Sequence, residues 1–196
     1  MLAVGHDAPE ITRVAGPFVR IGLLGGDPDD ETLQFLAAAQ PDTLGLDVDA
    51  LLLIDLAASA GFVDVTSAAP VLQRPAGETE AAIGRLADST VGGEPILVPV
   101  DGVPAGEPVA YRLSDAARRR LERRTAHLFT TAGRRETALA WARHRGRVST
   151  TEVRDLADIS QPTANLMLGQ LEVQGHLAPG RDNKLGRGNF YVPVPT

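Results

Sequence analysis

The sequence contains no cysteine, which excludes disulfides and thiolate metal sites. Lysine occurs once, as Lys184, beside eighteen arginines. Aromatics make up only 4% of the 196 residues, so buried cores must be built largely from Ala, Leu and Val. No apolar run reaches the roughly 20 residues that a membrane-spanning helix needs. The start, MLAVGHDAPE, lacks the basic region and apolar stretch of a secretion signal. A soluble, cytoplasmic protein with no membrane partner is expected. Catalytic signatures are missing as well: there is no GxSxG, no P-loop and no GxGxxG. His6, His127, His144 and His176 are scattered, with no i, i+4 pair of ligands. His144, between Arg143 and Arg145, reads as a surface residue near a helix end, and Trp141 as the main aromatic anchor of a core. No enzyme, cofactor or metal is expected.

Charge is what the sequence does supply, and it is unevenly placed. Residues 1–113 hold 5 Arg against 17 Asp and Glu, a balance of −12, while residues 114–196 hold 14 Lys or Arg against 8 Asp and Glu, a balance of +6. Only the second half suits a polyanion. Hydrophobic residues make up 43%, enough to bury compact cores.

Local signals divide the chain into short elements. FVRIGLL (18–24) has the character of a strand. A helix follows, with Asp27 as its expected N-cap, Pro28 at its first position and an acidic cluster complementing its dipole. That cluster could hold a metal, but helix-start chemistry accounts for it. DVDALLLIDLAASAG (47–61) is an apolar helix stopped by Gly61. FVDV, TSAAPVL and the helix RPAGETEAAIGRLADST come next, then the strands EPILVPV and VAYRL around the loop DGVPAGEP. Residues 114–129 are expected to form one helix capped by Ser114, with Ala117, Leu121 and Leu128 on one stripe. Residues 118–135 hold seven arginines. Two accounts of them stand side by side: a phosphate-tracking linker, or a helix whose arginines pair with the acidic first half. ETALAWARHRG (136–146), the short strand RVS and a helix with the Ser149–Glu152 capping box follow. SQPTANLMLGQLEVQG comes next, with Ser160 as cap and Gly175 as stop. HLAPGRD and NFYVPV flank the loop NKLGRG.

The order helix, strand, helix, helix, strand, loop, strand occurs twice, an internal repeat of about 80 residues. At an offset of 85, Ile83 falls on Leu168, Gly84 on Gly169 and Leu86 on Leu171, with Val65–Thr66 near Val148–Ser149. The order resembles a winged helix-turn-helix, most strongly in ISQPTANLMLGQLEVQGHL and GRGNFY. The resemblance places Ile159, Ala164, Leu168, Leu171 and Leu177 inward. The expected fold class is α+β, mainly α, with tandem winged helix-turn-helix domains after a short N-terminal strand–helix segment. The expected divisions are 1–44, an acidic first winged helix at 45–113, an arginine-rich linker at 114–131 and a basic second winged helix at 132–196.

The whole chain also resembles the C-terminal part of actinobacterial ATP-binding transcriptional regulators that carry a Schlafen/Alba-like domain and a histidine-kinase-type ATPase domain. PFVRIGLLGG, DVDALLLIDL, RRET and GRGNFY carry the likeness. The upstream domains have no counterpart here, so the family's nucleotide site has no matching positions. The start at Met1 resembles a point inside longer relatives, so a fragment of a longer ATP-binding protein is one expectation.

What the winged-helix resemblance implies is contact with double-stranded DNA. Such a protein needs short polar side chains at base edges and cations at phosphates. The turn into the recognition helix offers Ser160, Gln161, Thr163 and Asn165. Arg181, Lys184 and Arg187 sit in the wing loop, and Arg154 on the preceding helix could meet the backbone. In the first repeat, Glu78 and Glu80 fall at the positions of Thr163 and Asn165, so that repeat is not expected to read DNA. The function expected is DNA binding in transcription regulation, with nucleoid association and self-association as a homodimer following from it. The alternative is a tandem winged-helix protein scaffold like the acidic segregation and condensation subunits. Leu166, facing outward, or the acidic first domain would then hold a protein partner.

Overall fold

The structure is a computed structural model and describes residues 10–13, 19–22, 29–40, 46–180 and 189–195. It belongs to the α+β class and is mainly helical, with small antiparallel sheets. No helix among the described residues is long and apolar enough to cross a membrane.

The N-terminal part adds a strand that local signals did not announce. β1 (Glu10–Arg13) pairs antiparallel with β2 (Val19–Gly22), the latter inside the expected FVRIGLL. α1 (Asp30–Ala38) begins later than expected. Its N-cap is Asp29, whose carboxylate accepts from the Glu31 amide at 3.3 Å and the Thr32 hydroxyl at 2.6 Å. Asp27 and Pro28 lie outside the described residues. β3 (Ala39–Gln40) follows.

The first repeat runs through α2 (Val48–Ala60), α3 (Val65–Leu72), α4 (Ala76–Ala87), β4 (Thr90–Val91), β5 (Glu94–Pro95), β6 (Leu97–Pro99) and β7 (Tyr111–Leu113). The second runs through α7 (Thr131–Arg145), β8 (Val148–Ser149), α8 (Thr150–Leu156), α9 (Gln161–Val173), β9 (Leu177–Pro179) and β10 (Phe190–Pro193). Their register is plain in the caps. Gly61 and Gly146, 85 apart, both close a helix in the left-handed conformation. Asp64 and Ser149, also 85 apart, both form capping boxes. Val63 and Asp64 are therefore the partners of Val148 and Ser149, two residues before the expected Val65–Thr66. Val63 bridges to Tyr111 as Val148 pairs with Tyr191, so the last strand of each repeat lies between the other two.

The repeats diverge after the third helix. EPILVPV is not one strand: β5 joins a sheet with β4 and β3, while β6 pairs with β7. The β4–β5 hairpin is an insertion that ties the N-terminal part to the first repeat.

The expected single helix 114–129 breaks. α5 (Asp115–Arg120) ends at Leu121, with φ −120° and ψ 37°, and α6 (Glu122–Thr125) leads into a 3-10 turn at 126–129. The bend keeps Ala117, Leu121 and Leu128 buried in spite of the break. It also carries Arg124 to within 2.7 Å of Asp55 and lets the Arg123 amide donate to Glu31 at 3.0 Å. Arg118, Arg123 and Arg124 form ion pairs with Asp115, Asp29 and Asp55. Those three arginines pair within the chain. α7, in turn, starts five residues earlier than expected, because Thr130 caps it by accepting from the Gly133 amide at 2.9 Å.

Among the described residues, two apolar cores result. Leu53, Leu86, Ile96 and Leu121 fill the first. The second centres on Trp141, fully buried, with the Phe62 ring edge-on at 5.0 Å and Leu168, Leu171 and Leu177 around it. Phe62, Val100 and Ala110, from the first repeat's stretch of sequence, belong to this second core.

Polar clasps reinforce that junction. The Asp64 carboxylate caps α3 through the Ser67 amide at 2.8 Å and meets His144 Nε2 at 2.8 Å and Arg145 Nη1 at 3.0 Å. Arg145 also reaches Glu107 at 3.2 Å and the Pro108 carbonyl at 2.8 Å. His144 is thus a half-buried junction residue, not a surface one, because the end of α7 docks on the start of α3. Burial alone would raise the Asp64 pKa, but the Ser67 amide, His144 and Arg145 outweigh it and hold the carboxyl below its ordinary value.

Candidate nucleic-acid interface

α9 forms because its sequence satisfies a helix on every count. Ser160 caps it, its hydroxyl accepting from the Thr163 amide at 3.4 Å and lying 2.8 Å from the Thr163 hydroxyl. Pro162 occupies the first turn, where a missing amide hydrogen costs nothing. Ala164, Met167, Leu168 and Leu171, spaced three and four apart, bury one face. The opposite face is open to solvent.

A tight turn aims this helix. α8 closes at Ala157, and Asp158 takes φ 49°, a left-handed conformation that Asp tolerates better than most side chains. Arg134 Nε, at the start of α7, donates to the Ala157 carbonyl at 3.1 Å and braces the turn from behind. Arg135 bonds to the Gln174 amide oxygen at the other end of α9. Both ends of the helix are therefore held by α7.

The structure brings four of the expected residues together. Ser160, Gln161, Thr163 and Asn165 are exposed on the first turns of α9. The Asn165 Oδ1 accepts from the Thr150 hydroxyl of α8 at 2.7 Å, which fixes the amide plane. Leu166 is 63% exposed and Val173 88%, so the outward position expected for Leu166 is observed. Arg181, Lys184 and Arg187 lie outside the described residues.

Arg154 lies partly exposed on α8 and has a partner that local signals did not announce. Its Nη2 lies 3.1 Å from Asp101 Oδ2, on the loop between β6 and β7 of the first repeat. Both side chains of this pair reach solvent, so the contact is a weak surface ion pair in which Arg154 faces a carboxylate. Around it lies a second clasp that local signals did not reveal. Arg112 of β7 grips Asp155 of α8 with two bonds, at 2.9 and 2.8 Å, and the Asp101 amide donates to the same carboxylate at 3.0 Å. Burial would raise the Asp155 pKa, but the Arg112 guanidinium and the Asp101 amide reverse this and hold it below the usual range. Gly102, at φ 89°, completes the contact: a Cβ there would meet the Thr151 side chain at 2.9 Å. The acidic loop of the first repeat therefore lies against the start of α8. Only the pairing of opposite charge across the two halves hinted at this, and the sequence carries no sign of which residues meet.

No protein-family model matches the chain, and no curated protein matches it in sequence. Among solved structures it is similar to the crystal structure of the DIP2311 protein from Corynebacterium diphtheriae, with a TM-score of 0.84 and 24% sequence identity. The match covers 99% of this chain and 35% of that one, so the chain spans about a third of the length of its neighbour. This likeness supports the fold.

Proposed function

We propose that the two repeats are winged helices and that the chain is a DNA-binding regulator of transcription, its second repeat entering the major groove with α9. The observation that carries this reading is the open face of α9. The helix is braced at both ends by α7, buried on one side only, and presents Gln161, Thr163 and Asn165 from its first turns. A helix of ordinary diameter fits the major groove, and short amide and hydroxyl side chains match base-edge donors and acceptors. The first repeat has no such face to offer: Glu78 and Glu80 are exposed on α4, and its loop is spent on α8. Arg181, Lys184 and Arg187, which follow α9 in the sequence, are the cations this reading assigns to phosphate contact. With three such contacts, affinity for duplex DNA should fall with salt at a logarithmic slope of about −3. Arg187→Ala should make that slope shallower by about 1. A salt series of fluorescence anisotropy on random duplex tests this, and no binding at low salt would end it.

A second reading rests on a separate observation, the exposure of Leu166 and Val173 along the same helix. They suit a protein partner in a tandem winged-helix scaffold of the segregation and condensation type. Absence of DNA binding at low salt promotes this reading.

A further inference from the structure

The chemistry of the open face of α9 goes beyond DNA binding in general: it sorts the base pairs. Guanine is read in the major groove by Arg or Lys donating to O6 and N7, and cytosine by Asp or Glu accepting from N4. Neither kind of reader is exposed on α9. Its one charged residue, Glu172, is half-buried, is not free of partners and lies near the C-terminal end, away from the entering turns. The face instead has an apolar centre line. Pro162, Leu166, Gly169 and Val173 follow at spacings of four, three and four, which keeps one stripe of a helix. Gly169 has nothing within 4 Å of where a Cβ would stand, so it adds no bulk between the helix backbone and a groove floor. Amides and hydroxyls flank the line, Gln161 and Asn165 on one side, Thr163 and Gln170 on the other.

Each of these groups has a counterpart on an A·T pair. The amide of Asn or Gln pairs with adenine N6 and N7, and an apolar side chain meets the thymine C5-methyl. The Thr150 hydroxyl occupies one lone pair of the Asn165 Oδ1, leaving the second lone pair and both amide hydrogens for a base. Leu166 follows Asn165 directly and is exposed enough to reach a methyl beside the adenine that Asn165 reads. We infer that α9 selects A·T base pairs, with Asn165 as the adenine reader and Leu166 as the thymine-methyl reader. This rests on the proposed DNA reading by the second repeat.

The test selects duplexes from a random library with the full chain at low salt, then measures the selected duplex by anisotropy. Adenine and thymine should dominate the core positions, and replacing that core by G·C pairs should weaken binding roughly 5- to 100-fold. Replacing thymines by deoxyuridine removes only the methyl. It should weaken the wild type several-fold and leave Leu166→Ala indifferent; that variant alters an exposed side chain and its fold is checked by circular dichroism. Asn165→Ala should lose the adenine preference while keeping salt-dependent binding. A guanine-rich core, or deoxyuridine duplexes bound as well as thymine ones, would overturn the inference while leaving DNA binding intact. No binding to any duplex would overturn both.

Discussion

Asp64→Ala should be far more costly than a helix-cap mutation. The carboxylate is 1% exposed and serves two structures at once. As the cap of α3 it accepts from the Ser67 amide at 2.8 Å, a bond whose loss costs about 1 kcal/mol. As the anchor of α7 it accepts from His144 and Arg145. Removing one member of a fully buried charged pair costs about 3–5 kcal/mol. Arg145 would keep Glu107 at 3.2 Å and the Pro108 carbonyl at 2.8 Å, so the penalty here falls below that range. Together the losses come to about 3–4 kcal/mol at neutral pH. Urea unfolding followed by Trp141 fluorescence and by circular dichroism measures this, the first probe reporting the second core and the second the whole chain. A double-mutant cycle with Arg145→Met isolates the junction, with an expected coupling of about 1–3 kcal/mol. Acid supplies an internal control. The folded-state pKa of Asp64 lies below its unfolded value near 3.9. Its contribution is therefore complete above that value and is lost as the pH falls through the folded one, and Asp64→Asn should flatten this part of the acid limb. Additive single mutants, or an Asp64→Ala cost below about 1 kcal/mol, would refute the clasp.

On the proposed DNA reading, Asp101→Ala should release Arg154 and steepen the salt slope of duplex binding by about 1, whereas Arg154→Ala in the wild-type background should change affinity little. Gly102→Ala forces a Cβ to 2.9 Å from Thr151 at φ 89° and should cost about 1–3 kcal/mol in thermal or urea unfolding. Trp141→Ala empties the centre of the second core and should cost about 3–5 kcal/mol, read by circular dichroism because no other tryptophan remains.

The parts of the fold legible in the sequence are those set by neighbours along the chain. Caps and stops such as Ser149, Ser160, Gly61 and Gly146 depend on one or two bonds within a turn, and their residue types announce them. The buried face of α9 was legible for the same reason, since Ala164, Leu168 and Leu171 follow the helical period. The misjudged elements are those decided by distant partners. The break at Leu121 follows from packing against the first core and from Asp29 and Asp55, which no window around residue 121 contains. The split of EPILVPV follows from β5 folding back on β4, whose other edge is taken by β3, about 50 residues upstream. Arg154 showed its charge in the sequence but not its pairing with Asp101, 53 positions away. His144 looked like a surface residue because Asp64, 80 positions away, is what makes it a junction residue.

The same pairings change how the charge asymmetry should be understood. A balance of +6 in residues 114–196 looks like a cationic face, yet four of its arginines neutralise acids from the first half: Arg123 with Asp29, Arg124 with Asp55, Arg145 with Asp64, and Arg154 with Asp101. Much of the asymmetry is consumed in holding the chain together. The two repeats share a register and a cap pattern but divide the tasks between them. The first turns its loop inward, so that Asp101 and Gly102 set the position of α8 and, through the turn at Asp158, the direction of α9. The second keeps the corresponding helix face uncovered and nearly free of charge. On the DNA reading proposed above, a helix of that kind gains little from the long-range field of the duplex and depends on base edges and methyl groups at contact distance. Selectivity should therefore be high relative to affinity, the opposite of what the charge count of the second half suggests.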